Sequence, residues 1–177
     1  MGSILSRLDK AIKKFEELIL IYGILALSTI TVSNVISRWL FDYSWFFIEE
    51  ISQFILVIIT FMGVSYGARV NRHIRMTALF EMGNDKVKKI LIIITSLITM
   101  VVLFYLSYHA FLFVMKTKAY GRVSPALRIP FYLLILWAPA GLFLGGIQYL
   151  ITLIKNIRES KLWLSSEDNA AYKEISY

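Results

Sequence analysis

Four stretches of this sequence contain no formally charged residue, and they limit what the chain can fold into. They are residues 18–37, 51–68, 90–115 and 129–154. Because an α-helix rises ~1.5 Å per residue, about 20 residues span the ~30 Å hydrocarbon core of a bilayer. Inside lipid, a helix satisfies its backbone hydrogen bonds within its own segment. The sequence therefore predicts an all-α membrane protein with four transmembrane helices, at about residues 18–41, 48–68, 88–116 and 128–155.

The composition supports a membrane location. Of the 177 residues, 58% are hydrophobic and 18% are charged, and the mean hydropathy is +0.66. Soluble domains contain roughly 45–50% apolar and about 25% charged residues, so a soluble enzyme is excluded. We expect residues 1–177 to form a single membrane domain that ends in a cytoplasmic tail, residues 156–177.

The basic residues predict how the spans are oriented. Most of the 19 Lys and Arg residues lie in the two termini and in the connection between the second and third spans. Basic residues accumulate on the cytoplasmic side of membrane proteins, so both termini are expected in the cytoplasm. The remaining basic residues fall on the external side: Arg38, Lys116, Lys118, Arg122 and Arg128. Because the positive charge follows the topology, no nucleic-acid partner is expected.

Residues 1–17 combine an apolar face with a basic face. The apolar residues recur at helical spacing: Ile4, Leu5, Leu8, Ile12 and Phe15. This pattern is typical of a helix that lies in the membrane interface. We expect a separate interfacial amphipathic helix over residues 1–17. The alternative is that these residues begin the first span.

The sequence offers no group of residues suited to catalysis. It contains no cysteine, and its two histidines, His73 and His109, are predicted near opposite faces of the membrane. A haem site inside a helix bundle would need two histidines at matching depth. A phosphate-binding loop and a metal-ligand motif are also missing. We therefore expect no enzyme activity, no cofactor and no metal site, and we interpret His109 as a packing residue.

Charged residues gather where the first two spans reach the external side. Arg38 ends the first span, and Glu49 and Glu50 begin the second. In an antiparallel hairpin these charges reach the same depth, so they can pair, and Glu50 can also contact a partner subunit. The alternative is that they meet water, where an exposed pair contributes ~0–1 kcal/mol. The nearby rings are expected to form an aromatic belt. They are Trp39, Phe41, Tyr43, Trp45, Phe46 and Phe47.

Small residues within the spans predict close helix packing. Gly63 and Gly67 in the second span, and Gly141 and Gly145 in the fourth, have the spacing that lets helix backbones approach. Pro139 is expected to kink the fourth span. No span carries a charge at its centre, so the sequence outlines no polar path for a substrate. We infer a helper protein that packs against a larger membrane partner.

Several short motifs, taken in order along the chain, point to one family. They are Asn34-x-x-x-Arg38, Phe47-Ile48-Glu49-Glu50, Gly63, Arg69, His73-Ile74-Arg75, Pro125-x-x-x-Ile129-Pro130 and Pro139-x-Gly141. In this order and spacing, the sequence resembles the small membrane subunit (DctQ-like, Q component) of tripartite ATP-independent periplasmic (TRAP) transporters. It departs from the family pattern at Phe47, where members usually have a Trp.

The resemblance implies a sodium-coupled secondary transporter that imports an organic anion across a bacterial inner membrane. A periplasmic binding protein captures the substrate, and a large membrane subunit carries substrate and sodium by an elevator movement. The small subunit is then a non-catalytic scaffold, with phospholipid bound to it. Sialic acid and C4-dicarboxylates are the typical substrates, and sialic acid is preferred without support from particular residues. The alternative is a stand-alone four-helix carrier that works as a homo-oligomer, with Glu49 or Glu50 as its proton site.

Two groups of basic residues gain a role from this resemblance. The first surrounds the third connection and is a candidate for docking an acidic surface of the binding protein; the alternative is charge held at lipid headgroups. It contains Lys116, Lys118, Arg122 and Arg128. The second lies on the cytoplasmic side and is a candidate for contact with anionic lipid or with the large subunit. It contains Arg69, Arg72, His73 and Arg75.

Overall fold

A computed structural model describes residues 2–43, 45–70 and 85–158 of the chain. These residues form the helices α1 Gly2–Phe41, α2 Phe46–Val70, α3 Asp85–Ala119, α4 Phe131–Ile135 and α5 Trp137–Arg158. Four segments are long and apolar enough to cross a membrane, namely Ala11–Phe41, Phe46–Arg69, Lys89–Ala119 and Phe131–Arg158. The predicted all-α fold with four transmembrane helices is confirmed.

The first helix differs from the prediction. A separate interfacial helix was expected over residues 1–17, but α1 runs without interruption from Gly2 to Phe41. The physical reason is local. Residues 3–22 contain neither glycine nor proline, so nothing in this segment interrupts the helical hydrogen-bond ladder. The apolar and basic pattern of residues 1–17 therefore belongs to the same helix as the first span.

The fourth span is divided into α4 and α5 at Leu136. The backbone of Leu136 keeps right-handed helical angles, with φ −60° and ψ −28°. The helical hydrogen bonds are therefore interrupted at this point, while the backbone remains helical. Pro139 explains it, because proline has no N–H to donate to the carbonyl of Ile135, four residues earlier. Pro130, whose ring fixes φ, stands at the N-cap of α4 and starts this span.

Two glycines that were predicted to allow helix packing differ in how tightly they are enclosed within the two compact units of the chain. The first unit comprises Met1–Gly63 and Tyr108–Gly141, and the second comprises Val64–Ser107 and Leu142–Tyr177. In the first unit, Gly141 lies so close to α2 that an added Cβ would overlap the carbonyl oxygen of Phe61. In the second, a Cβ on Gly145 would make ordinary contacts with Leu103 and Val64, both at 3.5 Å.

One face of α5 is buried and polar. Gln148, Thr152 and Asn156 follow at intervals of four residues, and all three are buried. The Thr152 hydroxyl donates a hydrogen bond of 3.0 Å to the Gln148 carbonyl, and the Asn156 amide donates one of 2.9 Å to the Thr152 carbonyl. The side chains of Thr152 and Asn156 can thus be buried in a span because carbonyls of the same helix accept their hydrogen bonds. The fourth span therefore combines an apolar surface with a buried polar face.

The spans differ in how much of their surface the chain itself covers. In the most apolar window of the first span no residue is buried, whereas a third of the residues (33%) are buried in that of the fourth. Lipid or another protein must therefore cover the exposed side of α1, while its other side is partly buried within the chain.

Candidate functional site

The connection between α3 and α4, residues 120–130, closes on itself. The Ser124 N–H donates to the Ile129 carbonyl at 2.9 Å, and the Phe131 N–H donates to the Arg122 carbonyl at 2.9 Å. Val123 and Pro130 form an isolated antiparallel bridge between the two arms. These bonds join the arms of the connection, so that residues 125–128 form its tip.

Two residues in the left-handed region of φ shape this connection. Gly121, with φ +61°, follows the end of α3, and its N–H donates to the Lys118 carbonyl at 3.1 Å. A glycine in this conformation is a common way to end a helix. Arg128 has φ +53°, which is costly for a residue with a side chain and persists only where surrounding contacts hold it. Its N–H donates to the Ser124 carbonyl at 3.1 Å.

Glu50, in the first turns of α2, binds the tip of this connection. Its Oε1 accepts the Ala126 N–H at 2.6 Å, and its Oε2 accepts the Leu127 N–H at 2.9 Å. Oε2 also accepts the Ser124 hydroxyl at 2.7 Å. An ionised carboxylate only accepts hydrogen bonds, so it matches three donors that converge on it. The side chain that the sequence singled out as an anchor therefore bridges α2 and the connection before α4.

Arg38, the candidate ion-pair partner of Glu49 and Glu50, does not pair with either carboxylate. Arg38 is exposed at the end of α1, and no ion pair joins it to Glu49 or Glu50 in the described part of the chain. Both oxygens of Glu50 are engaged by the connection instead, while Glu49, one residue earlier, is exposed. The structure thus brings Glu50 to the third connection and leaves Arg38 and Glu49 at the surface.

Two of the four basic candidates around the third connection lie over consecutive aromatic rings. The Lys118 Nζ is 5.7 Å from the centre of the Tyr132 ring, and the Arg122 guanidinium is 5.8 Å from the centre of the Phe131 ring. Cations at this distance are attracted by the ring face. These contacts place both cations beside the start of α4. Lys116, in the last turn of α3, and Arg128, at the tip, are exposed.

The connection between α1 and α2 is held by neutral groups of α1. The Ser37 hydroxyl donates to the Tyr43 carbonyl at 3.0 Å, and the Asn34 Oδ1 accepts the Trp45 N–H at 3.3 Å. Trp45 stacks on Phe47 with the ring centres 5.9 Å apart. A groove of about 550 Å³ lies beside it, lined by Ser33, Ile36, Ser37, Phe41, Tyr43 and Trp45. The aromatic residues that the sequence predicted as a belt therefore surround this connection.

The second basic candidate group is described only in part. Arg72, His73 and Arg75 lie outside the described residues. Arg69, at the end of α2, was expected to contact lipid or a partner, but its side chain is completely buried and is engaged by other groups of the chain. Removing a charged guanidinium from water is costly, so it needs compensating contacts within the protein. The buried Arg69 side chain is therefore not accessible to lipid or to a partner, and the expectation for Arg72, His73 and Arg75 stays a prediction.

Three residues of these connections were not predicted to have a role in closing them. Asn34 appeared only as part of a motif, and neither Ser37 nor Ser124 was singled out. Their common signal is a small polar residue next to a turn, where such side chains bond to nearby backbone groups. Among the described residues, no three His, Asp or Glu side chains gather as metal ligands would.

Comparison with known proteins places these features in a family. A family model for the DctQ component of tripartite ATP-independent periplasmic transporters matches residues 27–159, which include both connections. This chain belongs to the DctQ family. A related protein is the ectoine TRAP transporter small permease protein TeaB of Halomonas elongata, which is 39% identical over 174 residues, covering 98% of this chain and 90% of the relative.

Membership of the DctQ family defines the general role of the chain. It is a small permease component of a TRAP transporter, and thus a transport component rather than an enzyme. With four apolar spans, it is a multi-pass protein of the inner membrane. Small subunits of this family work with a large membrane subunit and a periplasmic binding protein.

Proposed function

We propose that this DctQ-family chain is the scaffold subunit of a sodium-coupled TRAP transporter. In this proposal the chain packs against the large membrane subunit and takes no direct part in binding substrate or sodium. The observation that supports the proposal is the exposure of α1. In the most apolar segment of the span Ala11–Phe41, no residue is fully buried. The exposed apolar side of this helix is available to a partner.

One side of α1 is exposed along the span. Ile21, Tyr22, Ile24 and Leu25 are between 48% and 65% exposed, whereas Ile19, Leu20 and Gly23, on the other side, are partly buried. In lipid, helices associate through close packing rather than through the hydrophobic effect. A long apolar surface of this kind fits a role in which one helix face meets the large subunit and another meets lipid.

The basic third connection supports a second part of the proposal, the docking of the periplasmic binding protein. With both termini in the cytoplasm, this connection lies on the external side. Lys118 and Arg122 are held beside the start of α4 by the rings of Tyr132 and Phe131. A fixed positive patch attracts an acidic surface and accelerates association. We propose that this patch faces the binding protein.

For the substrate, the named relative shifts the preference. Its name concerns ectoine, whereas the family resemblance had implied sialic acid or a C4-dicarboxylate. We propose a solute of the ectoine class first and sialic acid second. Purification of the cognate binding protein, followed by calorimetric titration with ectoine, sialic acid and a C4-dicarboxylate, distinguishes the three.

Reconstitution tests the scaffold proposal. The purified chain is placed in liposomes alone, with the large subunit, or with the large subunit and the binding protein, and uptake of labelled solute is followed with and without a sodium gradient. We expect uptake only in the complete, sodium-energised system. Uptake by the chain alone would contradict the proposal and support a homo-oligomeric carrier.

A further inference from the structure

The three hydrogen bonds to Glu50 make the third connection depend on a distant part of the chain. Glu50 lies 74 to 77 residues before its partners Ser124, Ala126 and Leu127. The bonds within the connection join its two arms, but the amides of Ala126 and Leu127 at the tip donate to the carboxylate. Consecutive backbone N–H groups that point the same way form a site for an anion, and here the chain supplies its own.

Ser124 connects the carboxylate to the rest of the loop. Its side chain is buried, and its hydroxyl donates to Glu50 Oε2 at 2.7 Å while accepting the Ile129 N–H at 3.4 Å. Its backbone N–H and carbonyl bind Ile129 and Arg128. A single residue thus joins both arms of the connection to α2.

Arg128 shows why this matters for the basic patch. It is one of the four basic candidates, and its φ of +53° is a conformation that a non-glycine residue keeps only when its surroundings hold it. Leu127, the residue before it, is bound directly to Glu50. Without the carboxylate, the amides of Ala126 and Leu127 lose their acceptor, and Arg128 is then held only by the bonds within the connection.

We propose that Glu50 is a positioning residue that holds the third connection in the conformation in which its basic residues meet the periplasmic binding protein. Glu50 touches no partner itself in this role. It acts through Ser124, Ala126 and Leu127. The inference rests on the proposed docking function. It adds that docking requires a preformed loop as well as positive charge.

The experiment uses the complete complex with the variants Glu50→Gln, Glu50→Ala and Ser124→Ala. Glu49→Gln is the matched control, because it removes the same charge from an exposed neighbour. Three quantities are measured: recovery of the large subunit with the chain, hydrogen–deuterium exchange of the 123–129 segment, and the Kd of the binding protein. If a Glu50 variant fails to assemble with the large subunit, the Ser124→Ala variant still tests the inference, because it removes a bond to Glu50 without changing the charge of the chain.

We expect both Glu50 variants to exchange faster at Ala126 and Leu127 and to bind the large subunit normally. If the fraction of loops in the docking conformation falls to about one tenth, the apparent Kd of the binding protein rises about tenfold. Ser124→Ala, which loses one of three bonds, should change both quantities in the same direction by less. Glu49→Gln should change neither.

Two results would overturn the inference. One is unchanged exchange at Ala126 and Leu127 in the Glu50 variants. The other is faster exchange with a Kd equal to that of Glu49→Gln, since the loop would then be free without consequence for docking. The variant Lys118→Glu/Arg122→Glu keeps the two proposals apart. If this charge reversal also leaves the Kd unchanged, the proposed docking function is wrong. If the charge reversal raises the Kd but the Glu50 variants do not, docking stands and only the positioning role of Glu50 is wrong.

Discussion

The two connections in the first unit of this DctQ-family chain are stabilised in different ways. The connection between α1 and α2 is held by Asn34 and Ser37, which lie within 11 residues of their partners. The third connection is held by Glu50, more than 70 residues from its partners. The first connection therefore needs only its own helix end, whereas the third needs α2 in place.

The largest effect is expected for Gly141→Ala, which should loosen both connections. Gly141→Ala places a Cβ against the Phe61 carbonyl, so α2 must move within the unit that contains both connections. Overpacking of this kind costs about 1–3 kcal/mol. We expect a lower Tm in detergent and faster amide exchange in both connections. Gly63→Ala is the control, because its added Cβ meets only Leu20, at 3.7 Å. Equal Tm values for the two variants would contradict the packing described for Gly141.

The next prediction changes the charge of the third connection and leaves its shape intact. Lys118→Glu/Arg122→Glu should weaken binding of the periplasmic protein by about tenfold or more and reverse its dependence on salt, because screening then reduces repulsion instead of attraction. Affinity is measured between low and physiological ionic strength. The control, Lys14→Glu/Arg158→Glu, makes the same change at exposed positions of the predicted cytoplasmic side. An unchanged salt dependence in the first variant would contradict docking at this patch.

A third prediction separates the two connections. Asn34→Ala removes the acceptor of the Trp45 N–H, and a hydrogen bond with a net value of ~1 kcal/mol corresponds to about fivefold faster exchange of that amide. Exchange at Ala126 and Leu127 should stay at the level of the unmodified chain, as should binding of the periplasmic protein. If the 123–129 segment also exchanges faster, the two connections are coupled and the contrast drawn between them is wrong.

The smallest expected effect concerns the rings beneath the cations. Phe131→Leu keeps an apolar side chain but removes the ring face under Arg122. A cation–π contact at an exposed site is worth about 0.5–1 kcal/mol, so affinity for the binding protein should fall about two- to fivefold. Titration at low salt resolves a change of this size, and Phe143→Leu, which alters a ring that packs on Phe104, serves as the comparison. An affinity equal in both variants would show that the ring does not orient Arg122.

The sequence alone was sufficient to predict the four spans, because a transmembrane helix is determined by a continuous apolar run of known length. It was not sufficient for the partner of Glu50. The hairpin of α1 and α2 suggested Arg38, which is close along the chain, whereas the carboxylate binds a loop that lies 74 to 77 residues away in sequence. The left-handed conformation of Arg128 could not be predicted, because arginine has no preference for it. The burial of Arg69 could not be predicted either, because it depends on tertiary contacts.

The break expected between the interfacial helix and the first span is absent for a different reason. An amphipathic pattern shows which face of a helix is apolar, but it does not show where the helix ends. That end requires a breaker or a cap, and residues 3–22 have neither glycine nor proline. The continuous α1 follows from this local property, which could have been read from the sequence.

Photo-crosslinking from α1 tests the central proposal, the scaffold role, most directly. A photoreactive benzoyl-phenylalanine is introduced singly at Ile21, Leu25 or Val32, all of which are about half exposed, and the complete transporter is irradiated in membranes. A scaffold subunit predicts a covalent product between this chain and the large membrane subunit from at least one of the three positions. Products that contain only second copies of this chain, or only lipid, from all three positions would contradict it.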